Sequence, residues 1–375
     1  MGAHFPQDEK SWEISRKRLA FDELFLLLTI IQMRRQTWQK DASGVSLKEN
    51  PVMIQSFIDT LPFSLTTSQE QCITEIINDM KVGTPSMSRL LQGEVGSGKT
   101  LVALVALLTT VLCGYQGSIM VPTEVLAQQH FATISNLMSR LFNPQIEENV
   151  VTACLNTQSK PISIGLVTGS TRKAIKRKII EKASTGELDI VLGTHSLIQD
   201  EIKIPNLALA VVDEQHRFGV TQRSLLRGKG TTTPHLLVMS ATPIPRTLAL
   251  TLYGDLDIST ISQLPPGRQK TLTRWVPPHK RDAANDFVRG QVRLGRQAFV
   301  ICPLIEESET IEAKAAIVEY KRLSEKVFPD LRLGLLHGKM SSKEKNTVMT
   351  QFHKGELDIL VSTPVVEVGI DVPNA

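Results

Sequence analysis

The hydrophobic rhythm changes along the chain. Residues of about 12–38 place apolar side chains at helical spacing, starting in RKRLAFDELFLLL (16–28), and predict one long helix. That helix is expected to pack on the domain that follows. A polar stretch, DASGVSLKENP (41–51), precedes a second helical patch leading to Leu61, and SLTTSQEQCITEIINDM (64–80) reads as a capped helix. From Leu90 short apolar runs alternate with helical segments. The runs LLQ (90–92), SIMVP (118–122), IGLVTG (164–169), DIVLGT (189–194), LALAVVDE (207–214) and HLLVMSAT (235–242) predict strands. Continuous apolar strands separated by helices imply an α/β fold with a parallel sheet covered on both faces.

Residues of about 254–278 are rich in Pro, Gly and polar groups (QLPPGRQK, 263–270; VPPHK, 276–280) and read as a linker. The alternation then resumes: a helix near 279–294, a strand AFVICPL (298–304), a helix near 311–327 and a strand LRLGLLHG (331–338). A helix opens at SSKE (341–344), where Ser341 and Glu344 have capping-box spacing, and DILVST (358–363) is a further strand. The expected organisation is a lead-in over 1–60, a first α/β domain over 61–262, a linker over 263–278 and a second, incomplete α/β domain over 279–375. The length of 375 residues agrees with two domains.

Composition changes this picture little. The chain is 41% hydrophobic and 21% charged, and its net charge of +4 does not by itself imply nucleic-acid binding. The four cysteines, Cys72, Cys113, Cys154 and Cys302, are far apart and match neither a disulfide framework nor a zinc ribbon. The apolar runs Leu24–Ile31 and Leu101–Cys113 fall short of the roughly 20 residues of a membrane-spanning helix. No membrane association and a cytoplasmic location are therefore expected.

Three stretches carry chemistry. GEVGSGKT (93–100) fits a phosphate-binding loop between a strand and a helix. In it Gly93, Glu94, Val95, Gly96, Ser97 and Gly98 can turn backbone N–H groups toward phosphate oxygens. Lys99 can reach the β and γ phosphates, and the Thr100 hydroxyl can ligate Mg²⁺. LALAVVDEQH (207–216) ends a buried strand in two carboxylates. Asp213 is suited to holding Mg²⁺ and Glu214 to deprotonating an attacking water, with the polar pair Gln215 and His216 beside them. MSATPIPRTLAL (239–250) puts the short hydroxyls Ser240 and Thr242 at another strand end.

In this order the three stretches resemble a superfamily 2 helicase or translocase. The resemblance implies tandem RecA-like domains, ATP and Mg²⁺ as cofactors, and further roles. SQEQ (68–71) is similar to the adenine-reading Q motif, with Gln69 as reader and Phe63 near the base. VPTEVLAQQH (121–130), VTGST (167–171) and GTHSL (193–197) resemble loops holding one strand's phosphates, which assigns Pro122, Thr123, Thr168, Gly169, Ser170, Thr194 and His195 to DNA. LLHGKM (335–340) adds His337 and Gly338. STPVVEVGIDVPNA (362–375) resembles motif V, with Gly369 and Asp371 facing nucleotide and DNA, although Pro364 departs from the family's hydroxyl residue. The basic segment TRKAIKRKIIEK (171–182) reads either as a DNA-facing helix or as a solvated face.

DEQHRFGVTQR (213–223), ATPIPRTLAL (241–250), QLPPGRQ (263–269), GTHSLIQD (193–200) and LAFDEL (19–24) narrow the resemblance to the RecG family. Gln215 separates it from the transcription-repair coupling translocases, the alternative family. The resemblance implies remodelling of branched duplex DNA such as stalled forks and Holliday junctions. It also implies contact with a single strand's phosphate backbone, partnership with a single-stranded DNA-binding protein, and a monomer. The family pattern also has a wedge domain before this segment and arginines after motif V. Without those arginines the chain is expected to bind ATP–Mg²⁺ with little DNA-stimulated turnover, or to be a non-catalytic ATP- and DNA-binding remnant.

Overall fold

The computed structural model describes residues 3–41, 44–48, 50–83, 85–157, 159–194, 197, 202–213, 233–241, 256–263, 271–302, 309–363, 372 and 374–375. The chain divides into two compact units, Met1–Thr123 with His130–Pro265, and Glu124–Gln129 with Pro266–Ala375.

The first unit begins with helix α1 (Glu9–Asp41) and α2 (Pro51–Asp59). Among the described side chains of α1, none of the apolar ones expected to pack on the following domain is buried. Leu19, Phe21, Leu24, Phe25 and Leu26 are all exposed. Its apolar residues run round the helix and form no single stripe that one neighbour could cover. Helix α3 (Thr67–Val82) opens on a reciprocal capping box between Thr66 and Gln69 and closes on Gly83 in the left-handed conformation.

The sheet of this unit runs, among the described residues, in the order β3-β4-β5-β6-β2-β7-β8-β1-β9. Its strands are β1 (Ser88–Gly93), β2 (Gln116–Met120), β3 (Phe142–Glu147), β4 (Val150–Cys154), β5 (Ile162–Val167), β6 (Ile190–Gly193), β7 (Leu207–Val212), β8 (His235–Ser240) and β9 (Asp257–Ile261). From β5 to β9 every pairing is parallel. β7 and β8 are buried along their whole length, as a sheet covered on both faces requires.

Two features correct the sequence reading. The sheet is not wholly parallel, because β3 and β4 form an antiparallel hairpin that pairs antiparallel with β5. β3 is exposed throughout, so it carries no apolar run to read. Residues 257–261, placed in the polar linker stretch, instead form β9, parallel to β1. DISTI holds only two apolar residues, Ile258 and Ile261, which fall on opposite faces of this edge strand, so it shows no apolar run to read.

Helix α4 (Lys99–Leu112) is buried from Leu101 to Thr110, with apolar or small residues on all sides. It follows β1 directly and lies close against β2. A Cβ on Gly117 would come within 2.4 Å of the end of the Leu107 side chain, so any larger residue there would push Leu107 aside. Arg89 on β1 ties α3 to the sheet. Its guanidinium donates to Asp79 at 2.7 and 2.9 Å and to Ser259 of β9 at 2.8 Å, and Ser259 in turn donates to Glu75. Fully buried His235 stitches the entering chain to the sheet. Its Nδ1 accepts from the Met87 N–H at 2.8 Å, and its Nε2–H donates to the Val45 carbonyl at 2.7 Å. Helices α5 (Glu124–Met138) and α6 (Lys173–Thr185) complete the described helices before the linker.

Among the described residues the second unit holds a three-stranded parallel sheet, β10 (Ala298–Ile301), β12 (Ile359–Ser362) and β11 (Leu333–Leu336) in spatial order, with α7 (Arg281–Arg293), α8 (Glu309–Arg322) and α9 (Ser342–His353). α9 opens on the expected capping box between Ser341 and Glu344. The helix read over 311–327 widens at its end into a π turn at Leu323–Val327, where the Phe328 N–H donates to the Leu323 carbonyl five residues back. The central strand β12 divides the core in two. Leu360 packs with Phe352, Met349 and Leu336, while Ile359 and Val361 pack with Leu323 and Phe328.

Candidate nucleotide and nucleic-acid site

The six described loops that carry chemistry in the first unit all leave the C-terminal ends of parallel strands. Gly93 ends β1, Pro122 and Thr123 follow β2, Thr168 follows β5, Thr194 follows β6, Asp213 follows β7 and Ser240 ends β8. Ligands sit at this edge of open α/β sheets, where loops converge and helix N-termini point at the bound group.

The phosphate loop is held by its own residues and by α3. Gly96 and Gly98 adopt positive φ, 75° and 88°. Ser97 N–H donates to the Glu94 carbonyl at 3.1 Å. The Lys99 ammonium folds over the loop, donating to the carbonyls of Gly93 at 2.8 Å and Glu94 at 3.0 Å. Val95 is half-buried and Glu94 exposed, whereas Ser97 is fully buried and its hydroxyl has no partner. Gln69, 3% exposed, is engaged at both ends of its amide. Its oxygen accepts from Thr66 N–H at 2.9 Å and its nitrogen donates to the Ser97 carbonyl at 2.8 Å. The residue expected to read a base therefore also braces the phosphate loop. Phe63, 49% exposed, precedes α3.

The structure brings Thr100 and Asp213 together through a residue that the sequence reading left unassigned. His130 on α5 lies 3.2 Å from Thr100 Oγ1 through Nδ1 and 2.8 Å from Asp213 Oδ2 through Nε2. Asp213 is buried, its N–H donates to the Met120 carbonyl at 2.8 Å, and its other oxygen, Oδ1, has no partner. A signal for His130 was present. Leu126, Ala127 and Ile134 are buried on α5, and His130 falls at helical spacing within that apolar face. The residues fit a phosphate-bound Mg²⁺. One imidazole holds both the Thr100 hydroxyl and the Asp213 carboxylate, the second carboxylate oxygen is buried without a partner, and hard oxygen donors are what this ion takes.

Ser240 is buried and lies beside Gln92 in the β1–β8 register. At the β5 end the Thr168 hydroxyl lies 3.1 Å from Ser170 Oγ and 3.0 Å from Thr171 Oγ1, and Gly169 and Ser170 are exposed. The next helix, α6, exposes Lys173, Arg177, Lys178 and Lys182. In the second unit His337 and Gly338 follow β11. The His337 Nδ1 is buried without a partner, and the Gly338 carbonyl accepts from Lys345 at 2.8 Å. Glu214, Gln215, His216, Thr242, His195, Gly369 and Asp371 lie outside the described residues. Among the described residues no helix is long and apolar enough to cross a membrane. No group of three or more His, Cys, Asp or Glu side chains is placed to hold a metal ion among them.

Fold and site together define a phosphate-loop nucleotide-binding protein built of RecA-like α/β domains. Residues 66–251 match the DEAD/DEAH box helicase model and residues 279–375 the helicase conserved C-terminal domain. The chain is 44% identical over 373 residues to a Synechocystis ATP-dependent DNA helicase RecG, covering 99% of this chain and 42% of that protein. It is 44% identical to the Thermotoga maritima protein of the same name, covering 100% of this chain and 45% of that one. A structure of RecG bound to a three-way DNA junction is similar at a TM-score of 0.77 and 40% identity, over 100% of this chain and 46% of that one. A Mycobacterium smegmatis helicase Lhr bound to single-stranded DNA and AMP-PNP shares the fold at a TM-score of 0.55 and 16% identity, over 83% of this chain and 43% of that one. The chain belongs to the RecG family of superfamily 2 helicases. It spans about half the length of the curated relatives it matches.

Proposed function

We propose that this chain is the motor portion of an ATP-dependent helicase or translocase that remodels branched duplex DNA. The carrying observation is the convergence of Lys99, Thr100 and Asp213 around the start of a buried helix, with one Asp213 oxygen unpartnered. Similarity to a RecG structure bound to a three-way junction supports DNA as the partner.

In this reading Lys99 leaves the Gly93 and Glu94 carbonyls for the β and γ phosphates. The N–H groups from Glu94 to Gly98 and the start of α4 stabilise phosphate charge. Thr100 and Asp213 hold Mg²⁺, which, when bound, screens and orients the phosphates. Glu214 accepts the proton of the attacking water, with Gln215 and His216 beside it. Gln69 and Phe63 receive the adenine. Ser240, Thr242, Gly369 and Asp371 respond to the nucleotide. Pro122, Thr123, Thr168, Gly169, Ser170, Thr194, His195, His337 and Gly338 contact strand phosphates, which give a motor grip without sequence preference.

Two equilibrium titrations test this. Lys99→Ala should weaken ATP–Mg²⁺ binding, and an unchanged affinity refutes the phosphate-loop assignment. A synthetic four-way junction should bind more tightly than a linear duplex of equal length, and equal affinities refute the branched-DNA reading. Any ATP turnover of the chain should vanish in Glu214→Gln.

A further inference from the structure

His130 is used by none of the roles above, yet it touches both residues assigned to the metal. We infer that His130 is a positioning residue that sets Thr100 and Asp213 for the metal–nucleotide complex. The inference rests on the ATP–Mg²⁺ reading of the site.

The geometry sets the arrangement. Asp213 Oδ2 lies 2.8 Å from Nε2, and the Thr100 hydroxyl lies 3.2 Å from Nδ1 of the same ring. One imidazole therefore fixes the direction of both side chains. With Nε2–H donating to Asp213, Nδ1 is able to accept from the Thr100 hydroxyl, an arrangement that leaves that oxygen's lone pairs for a cation. The same ring holds one carboxylate oxygen of Asp213 and leaves Oδ1 buried and unpartnered. An unpaired buried oxygen is costly unless something binds it.

The alternative is a histidine that merely satisfies the core. The chain contains such a residue for comparison. His235 is fully buried and joins two backbone groups, Met87 N–H and the Val45 carbonyl, away from the strand ends that carry the chemistry. His130 joins two side chains instead, and both are the assigned metal ligands. Nothing in the burial of α5 demands a polar group there, since Leu126, Ala127 and Ile134 share its face.

The test compares wild type with His130→Leu, which keeps the bulk and removes both hydrogen bonds, and with His130→Gln, whose amide can donate to Asp213 and accept from Thr100. Two affinities are measured: ADP without metal, in EDTA, by titration calorimetry, and Mn²⁺ in the presence of ADP, by loss of the free-ion paramagnetic resonance signal. His130→Leu should leave metal-free ADP affinity unchanged and weaken Mn²⁺ binding about 10–100-fold, the range for residues that orient metal ligands. His130→Gln should recover most of the Mn²⁺ affinity. Unchanged Mn²⁺ affinity in His130→Leu overturns the inference. So does an equal loss of metal-free ADP affinity, which marks general damage, and so does a His130→Gln variant as weak as His130→Leu. If wild type binds ADP but Mn²⁺ adds nothing, the metal reading itself fails, and this is seen before any variant is compared.

Discussion

Replacing Gly98 by alanine should destabilise the first unit and loosen the phosphate loop together. Gly98 sits at φ 88°, where a non-glycine residue is strained by roughly 1–2 kcal/mol. A Cβ there would lie 2.3 Å from the Gln69 amide nitrogen, so that amide must move. Moving it breaks its 2.8 Å bond to the Ser97 carbonyl and leaves a buried donor and acceptor unsatisfied, which costs about 1–3 kcal/mol. The sum is about 2–5 kcal/mol, a large share of the roughly 5–15 kcal/mol that holds a native protein folded. Urea unfolding should report it as a lower midpoint at unchanged slope. The two contributions separate in a double-mutant cycle with Gln69→Ala. Removing the amide removes the clash but not the backbone strain. The double variant should therefore be less destabilised than the sum of the singles by at least about 0.5 kcal/mol, the lower end of coupling between touching residues. Additive effects would show that Gln69 does not stand against the loop, and a stable Gly98→Ala would refute both parts of the reasoning.

Two further outcomes follow from burial. Burial lowers the His235 pKa below its ordinary value of 6.5, with the Val45 carbonyl and Asp79 opposing the shift. Below that value the unfolded chain binds the proton more readily than the folded one, so this contribution is complete above pH 6.5 and is lost as pH falls toward the lowered folded value. The urea midpoint should drop between pH 8 and pH 5.5, and the drop should shrink in His235→Asn; an identical drop in the variant assigns it elsewhere. In the second unit Phe352 is fully buried and meets Phe299 edge-on, with ring centroids 4.9 Å apart, so Phe352→Ala should cost about 3–5 kcal/mol in calorimetry or urea unfolding. A loss under about 1 kcal/mol would mean that the site collapses around the smaller residue.

The parallel core was legible because β7 and β8 are buried on both faces and therefore read as unbroken apolar runs. The phosphate loop was legible because its glycines and lysine act through local backbone geometry. What escaped the sequence reading depends on neighbours far along the chain. β9 is a strand because it pairs with β1, although its two apolar residues stand on opposite faces, and β3 carries no burial signal. The exposure of α1 reflects an apolar pattern that fits no single face. His130 showed only as a polar residue on an apolar helix face, and its role was not legible. Its partners stand 30 and 83 residues away, so no local spacing announces the cluster.

α5 has one more consequence. Thr123 stands immediately before it and His130 lies seven residues on, about 10 Å along a helix rising 1.5 Å per residue. A helix of two turns tied by its own hydrogen bonds does not bend appreciably over that length. One helix thus links the Thr123 turn to the imidazole, which is held by hydrogen bonds of 2.8 and 3.2 Å. α5 is in this sense a ruler: it sets the spacing between a strand-end loop and the ring that grips the hydroxyl and the carboxylate.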